Sequence, residues 1–556
     1  MKKLIAVILC ITLVFAVTAP AVSAADEERL PTVYIRGNGE KLYNADGTPL
    51  NADFSGISLG GGEEGEEDDS GEKIVEAVVN ILKPFVLEGM LFDNWDNYGR
   101  AIYDELAPLF KDSGLDENGN AKNGTGVSTE ELEASTAQSK TSEHYIYNPD
   151  YNFVYDWRLS PYDHVDRLHQ FITDIISATG KSQVNIYARC IGGSLLMAYL
   201  EKYGHLGHVK NVMFVEVLSN GSTVISKSFS GKVEFDDMLL EKYLGQLDYC
   251  GTNGVGVGFE FSALLREIVF KTMDFFNQVN ATNMVLGSVE KLYERLYEAL
   301  IPAILHATGL ATQVNFWTCV KEEDMNDALN LVFGQPGSEL RIKYAGLIEK
   351  ILYYREHISS DLKGYYDSLR EKGIHFGFTA NYGLLNAPFT EDADLQSDAL
   401  VSLEDATFGA TAAKIGKTLS DEYIAARIEK GKGKYISADK VVDLSTAYSP
   451  ETTWVFKNAH HDILAPCMDV IRSFLNGTGE TVDSVSNGVY FMIYNEEAKI
   501  MEPMTADNCG DLSFMKIGKE EPTIGSAFKA FVDFCKMFFK LIGMLFRGEL
   551  DLGSLF

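Results

Sequence analysis

Val184-Asn185-Ile186-Tyr187-Ala188-Arg189-Cys190-Ile191-Gly192-Gly193 is the stretch on which the reading of this chain depends. It begins as an apolar run of strand type and ends in a small residue, one reactive side chain and two glycines, after which 194–203 continues with helical spacing. A strand that passes through a tight small-residue turn into a helix sets the turn residue, here Cys190, on a strained backbone above the sheet. The small neighbours let two stretches of backbone approach.

Strands and helices alternate on both sides of this turn. Tyr151-Asn152-Phe153-Val154-Tyr155-Asp156-Trp157-Arg158 reads as a strand, 163–179 as a helix, 183–187 as the strand before the turn and 209–217 as the next strand. Such alternation implies an α/β fold: a mostly parallel sheet flanked by helices. From 219 to 361 the chain is helical in pattern and rich in Leu, Phe, Tyr and Met. Strand character returns at Ile374-His375-Phe376-Gly377-Phe378-Thr379 and again at Thr453-Trp454-Val455-Phe456, followed by His460-His461 and a helix over 464–475. Upstream, Leu30-Pro31-Thr32-Val33-Tyr34-Ile35-Arg36-Gly37-Asn38-Gly39 is a β-rich run closing on glycines.

The expected organisation is a leader over 1–25 and a first part of the core over 26–218, with acidic or polar surface loops at 60–72 and 113–142. A large helical insertion, a lid, follows over 219–365, then the second part of the core over 366–480, a hairpin region over 481–523 and a C-terminal amphipathic helix over 524–556. The leader rests on Met1-Lys2-Lys3, an apolar run over 4–17 and Ala19-Pro20-Ala21-Val22-Ser23-Ala24, the pattern of an exported chain. In the tail, Lys529, Asp533, Lys536, Lys540 and Arg547 share one side, against Phe528, Phe531, Phe534, Phe538, Leu541, Ile542 and Leu545. Charges in mid-helix argue against a span; peripheral membrane contact or packing on the lid both suit it.

With 46% hydrophobic and 23% charged residues the chain can bury a sizeable core, and a formal charge of −32 argues against nucleic acid as a partner. Cys190, Cys250, Cys319, Cys467, Cys509 and Cys535 remain beyond the leader, scattered and without a C-x-x-C pair, so no metal cluster is expected, nor any cofactor. If Cys190 is a free thiol, five are left and one more must also be unpaired. His205 and His208 have no third ligand nearby and read as surface residues.

Tyr155-Asp156-Trp157-Arg158, the turn around Cys190, 200–217, Asp398-Ala399-Leu400-Val401-Ser402 and Lys457-Asn458-Ala459-His460-His461 together resemble the lecithin:cholesterol acyltransferase and lipase group of α/β-hydrolases. The resemblance covers the core strands and leaves out the lid, the acidic loops, the hairpin and the tail. It implies an α/β-hydrolase fold, attack on an acyl ester, an acyl-enzyme intermediate, and transfer to water or an alcohol. It also implies the chain order nucleophile, acid, histidine. Asp398 is the expected acid, with Asp392 and Asp394 as rivals. His461 is the expected base, with His460 as the alternative. The oxyanion donors are the N–H of Ile191 and one from Asn38 or Gly39. Arg36 stands where many hydrolases carry histidine.

Two departures from the pattern matter: Cys190 replaces the usual serine and Ala188 the usual glycine. A thiolate is a good nucleophile when an imidazolium and a helix N-terminus lie beside it, so a Cys–His–Asp set is workable. The expected function is therefore a secreted esterase, lipase or acyltransferase-like hydrolase acting on an apolar acyl ester. The alternatives are a lapsed hydrolase scaffold that binds lipid or another apolar ligand, and a cysteine peptidase or thioesterase on the same fold.

Overall fold

The computed structural model describes residues 29–37, 41–50, 94–128, 151–218, 220–233, 242–243, 246, 288–387, 393–461, 463–512, 529, 532–533 and 536. The leader, the acidic stretch 60–72, Asn38, Gly39, Asp392 and nearly all of the amphipathic tail lie outside these residues.

The strands, in chain order, are β1 (Thr32–Ile35), β2 (Tyr151–Phe153), β3 (Val184–Arg189), β4 (Val209–Val215), β5 (His375–Tyr382), β6 (Leu384–Leu385), β7 (Gln396–Ser397), β8 (Thr411–Ala412), β9 (Val442–Asp443), β10 (Thr453–Lys457), β11 (Phe491–Asn495) and β12 (Ile500–Pro503). Eight of them form one sheet in the order β2-β1-β3-β4-β5-β10-β11-β12. Seven pair in parallel, and β12 alone runs antiparallel, beside β11. With helices packed on the sheet, this is an α/β fold.

Val, Ile, Tyr and Phe dominate the central strands because both faces are covered. Val33, Ile35, Ile186, Ala188, Val212 and Phe214 join one apolar layer with the helices Val165–Thr179, Gly192–Tyr203 and Leu362–Glu371. Tyr34, Tyr187, Met213 and Val215, the alternate residues, join the layer of helix Met468–Asn476 and Trp454. That two-residue period is what a strand imposes, and burial on both sides removes the polar alternation of a half-exposed sheet.

Between β4 and β5 the chain makes the helices Thr223–Ser230, Ser288–Ala307, Val314–Trp317, Met325–Phe333, Glu339–Lys343, Ala345–His357 and Leu362–Glu371. Phe229, Trp317, Leu329, Phe333, Leu347 and Ile351 give this insertion an apolar core of its own. Among the described residues no helix is long and apolar enough to cross a membrane.

The described part of 113–142 mixes exposed residues such as Glu117, Asn118 and Asn123 with buried ones. Ser113 and Leu115 are fully buried. Ser113 Oγ donates to the Thr308 carbonyl (2.8 Å), and the Leu115 N–H donates to Thr312 Oγ1 (2.9 Å). Arg158, also buried, pairs with Asp156 (2.7 Å) and donates to the carbonyls of Asp112 and Ser113 and to Thr125 Oγ1. Polar composition alone reads the same whether the partner is water or a buried carbonyl, which is why the sequence pointed to the surface.

Seven parallel strands put their carboxyl ends on one edge of the sheet. β1 leads to β2 on one side, while β3, β4, β5 and β10 run away on the other. The reversal lies between β1 and β3, and in open parallel sheets that crevice beyond the carboxyl ends is where ligands bind.

Candidate functional site

Cys190 stands directly after β3 with φ +50°. A non-glycine residue in this conformation costs on the order of 1–2 kcal/mol and persists only where its surroundings enforce it. The Cys190 N–H donates to the Val215 carbonyl (3.2 Å) and its carbonyl accepts from the Gly193 N–H (3.0 Å). A methyl group on Gly192 would lie 2.5 Å from the Arg36 carbonyl oxygen, and one on Gly193 would lie 2.0 Å from a Val217 methyl. Only glycine admits the turn this closely to the end of β1. Ile191 follows at the head of helix Gly192–Tyr203.

The loop after β1 borders the same sulfur. A methyl on Gly37 would be 3.0 Å from Cys190 Cβ and 3.6 Å from Sγ, and Tyr155 Oη donates to the Arg36 carbonyl (3.0 Å). The next two residues of that loop, Asn38 and Gly39, are the oxyanion candidates outside the described residues.

Asp398 arrives by a detour from β5. The antiparallel pair β6–β7 carries the chain out and back, and Ala399, at φ +84°, turns it sharply. Asp398 Oδ1 accepts the N–H groups of Leu400 (2.9 Å) and Val401 (2.7 Å), which leaves Oδ2 for His461 Nδ1 at 2.7 Å. The Asp398 carbonyl also accepts the His461 N–H (3.0 Å), so the two residues are joined through both backbone and side chain. Burial pushes the Asp398 carboxyl up. The His461 charge and hydrogen bond, with the two N–H donors, more than offset this and hold it below the ordinary value.

His461 follows β10, and the Cys190 side chain is one of the neighbours that raise its pKa. Burial alone would push its pKa down; Asp398 and Cys190 together hold it well above 6.5. With Nδ1 held by Asp398, Nε2 is the nitrogen left for the sulfur. His460 is buried next door, but it is His461 that meets Asp398. Asp394, the rival acid, pairs with Lys414 (2.8 Å). His205 is exposed, while His208 is half-buried and stacked on His169.

Sequence reasoning missed Glu216. It follows β4 at φ +50° and is 1% exposed. Its Oε1 accepts from Asn381 Nδ2 (2.7 Å), and its Oε2 faces Arg189 Nε (3.4 Å) and His461 Nδ1 (3.6 Å). Burial raises its pKa to about 7, against the opposing pull of Arg189 and His461. An acid inside Val212-Met213-Phe214-Val215-Glu216-Val217 was the available signal. Arg189 also donates to the His461 carbonyl, tying the elbow to the histidine turn.

Glu216, Asp398 and His461 offer ligand atoms within 4.8 Å of one another. Yet Nδ1 is bonded to Asp398 and the Arg189 guanidinium already supplies the positive charge, so the donor set fits a proton-handling network better than a cation. All four described cysteines, Cys190, Cys319, Cys467 and Cys509, are free thiols. Burial pushes those of Cys319 and Cys467 up, which leaves them inert at neutral pH.

The fold should lose stability as pH rises from about 5 to 8. Glu216 and His461 both titrate higher folded than unfolded, so the folded state holds extra protons in that window and stabilisation is lost as they leave. Asp398, shifted down, adds a separate loss only below about pH 4. Denaturant midpoints at pH 5 and 8 check this; the pH 5 to 8 decline should shrink in Glu216→Gln and in His461→Gln.

No family model matches the chain, and no curated protein does. Among solved structures, the crystal structure of the Tle4–Tli4 complex is matched by 63% of this chain over 75% of that chain, at 12% identity and a TM-score of 0.24. So loose a superposition carries no argument about this chain's activity.

Proposed function

We propose that the chain is an α/β-hydrolase acting on acyl esters through Cys190, His461 and Asp398. The observation that carries this reading is the turn itself: a strained Cys190 followed by the closely packed Gly192 and Gly193, beside an imidazole whose pKa Cys190 helps to raise and whose Nδ1 meets a buried carboxylate at 2.7 Å.

The chemistry follows from the charges. The thiolate attacks the acyl carbon, the S–C bond forms, and the carbonyl electrons move onto oxygen, with the Ile191 N–H and one from Asn38 or Gly39 as the proposed oxyanion donors. His461, as imidazolium, gives its proton to the leaving alkoxide as the C–O bond breaks. The neutral imidazole then takes a proton from water or an acceptor alcohol, which attacks the thioester and returns the thiolate. Asp398 keeps the ring in one tautomer and balances its charge.

Export, an apolar acyl substrate admitted beneath the helical insertion acting as a lid, and surface contact of the amphipathic tail with a membrane belong to the same proposal. They draw on the leader pattern, on the aromatic and aliphatic content of 219–361, and on the charge pattern of 524–547.

The test is to trap the intermediate. Incubation with short and medium p-nitrophenyl esters should release nitrophenol and leave an acyl group on the peptide carrying Cys190, removable by hydroxylamine and visible by mass spectrometry. Folded protein with neither turnover nor acylation sinks the hydrolase reading and leaves a ligand-binding scaffold. Acylation by peptide substrates instead of esters would favour the peptidase alternative.

A further inference from the structure

Glu216 is the charged group that this mechanism leaves unused. A buried carboxylate costs several kcal/mol unless its partners compensate, and here they are arranged around the histidine. Asn381 takes Oε1 at 2.7 Å and so turns Oε2 toward two positive groups, Arg189 at 3.4 Å and the Nδ1 edge of His461 at 3.6 Å. The residue adopts φ +50° to aim there, while its own N–H remains in the sheet on the Thr379 carbonyl (3.0 Å). The pair with Arg189 is loose, and Arg189 reaches past it to the His461 carbonyl. A plain structural ion pair needs neither the strained backbone nor the approach to Nδ1.

We propose that Glu216 is a second positioning acid for His461, holding Arg189 against the histidine turn and sharing with Asp398 the counter-charge of the imidazolium. The inference rests on the reading of Cys190 and His461 as a reacting pair. Other titratable groups facing Glu216 are Asp398 from the β7 turn and the buried Cys467 from the turn Ala465–Cys467. Two carboxylates at one imidazole make each less indispensable. Together they keep the ring protonated to higher pH than either would alone.

The experiment compares full-length Asp398→Asn, Glu216→Gln and the double variant with the parent. In a triad with one acid, removing its charge costs about 10⁴-fold in turnover. Here Asp398→Asn should lose only about 10²-fold, and the double variant should fall at least tenfold below the product of the two single effects. The alkaline limb of kcat/KM should move to lower pH in Glu216→Gln, by about one unit, since the imidazolium loses one of its counter-charges. A 10⁴-fold loss in Asp398→Asn, simple multiplication in the double variant, or an unmoved limb would overturn the proposal.

A readout free of turnover separates it from the hydrolase reading. The His461 imidazole is titrated by NMR in ring-labelled protein, with His461→Gln for assignment. A midpoint lowered in Glu216→Gln supports the positioning role even if no ester is cleaved. An unchanged midpoint beside Cys190-dependent turnover removes the positioning role and leaves the hydrolase reading standing.

Discussion

Cys190→Ala is expected to lower ester turnover by at least about 10³-fold while leaving the fold intact. The argument is local. The Cys190 side chain is half-exposed at the crevice, and its backbone, not its sulfur, carries the hydrogen bonds to Val215 and Gly193. Alanine therefore removes the nucleophile and the partner of His461 at little structural cost. Whatever turnover survives comes from binding and the oxyanion donors, which in triad enzymes persist when a member of the triad is lost. Cys190→Ser is the informative companion. The thiolate leaves more readily than an alkoxide, so a site tuned for sulfur should lose activity with serine. A gain on installing serine would instead identify a serine site that has lost its nucleophile. Steady-state rates of the folded variants on p-nitrophenyl esters decide between the two.

Gly192→Ala should be strongly destabilising, costing about 3 kcal/mol. Its methyl would stand 2.5 Å from the Arg36 carbonyl oxygen and 2.8 Å from that of Ile35. Both are backbone atoms at the end of β1, which cannot rotate aside as a side chain can. Relief requires the helix Gly192–Tyr203 to lift or the 36–37 loop to move, and either displaces Cys190 from His461. Stability and turnover should fall together. Gly510→Ala, where such a methyl meets nothing within 4 Å, should leave both nearly unchanged. Urea unfolding of the two variants, with an ester assay on each, reads the outcome.

Much of this architecture is legible in the chain because it is enforced locally. The run into Cys190 combines apolar strand residues with Ala188, Gly192 and Gly193, and close backbone approach tolerates little else. The Asp398 turn was readable because one carboxylate oxygen is taken by the N–H groups of Leu400 and Val401, an arrangement that needs only neighbouring residues. The position of the histidine pair was readable for the same reason: it follows a strand and precedes a helix.

Glu216, Arg189 and Asn381 were not readable as a group. They come from the ends of three different strands, and no spacing along the chain connects them. Whether an acid inside an apolar strand faces a core, a solvent or an imidazole depends on what the neighbouring strands deliver to the same edge. The burial of Ser113 and Leu115 is a matter of the same kind, since their partners Thr308 and Thr312 are far away in sequence.

By itself, then, the sequence determined the parallel strand–helix alternation and the tight turn at Cys190, because period and turn strain are properties of adjacent residues. Only the tertiary structure decided that His461 rather than His460 meets Asp398, that Asp394 faces Lys414, and that a second carboxylate, Glu216, lies 3.6 Å from the imidazole Nδ1. Those are distances between strand ends, and they are set by the order in which the sheet assembles β3, β4, β5 and β10.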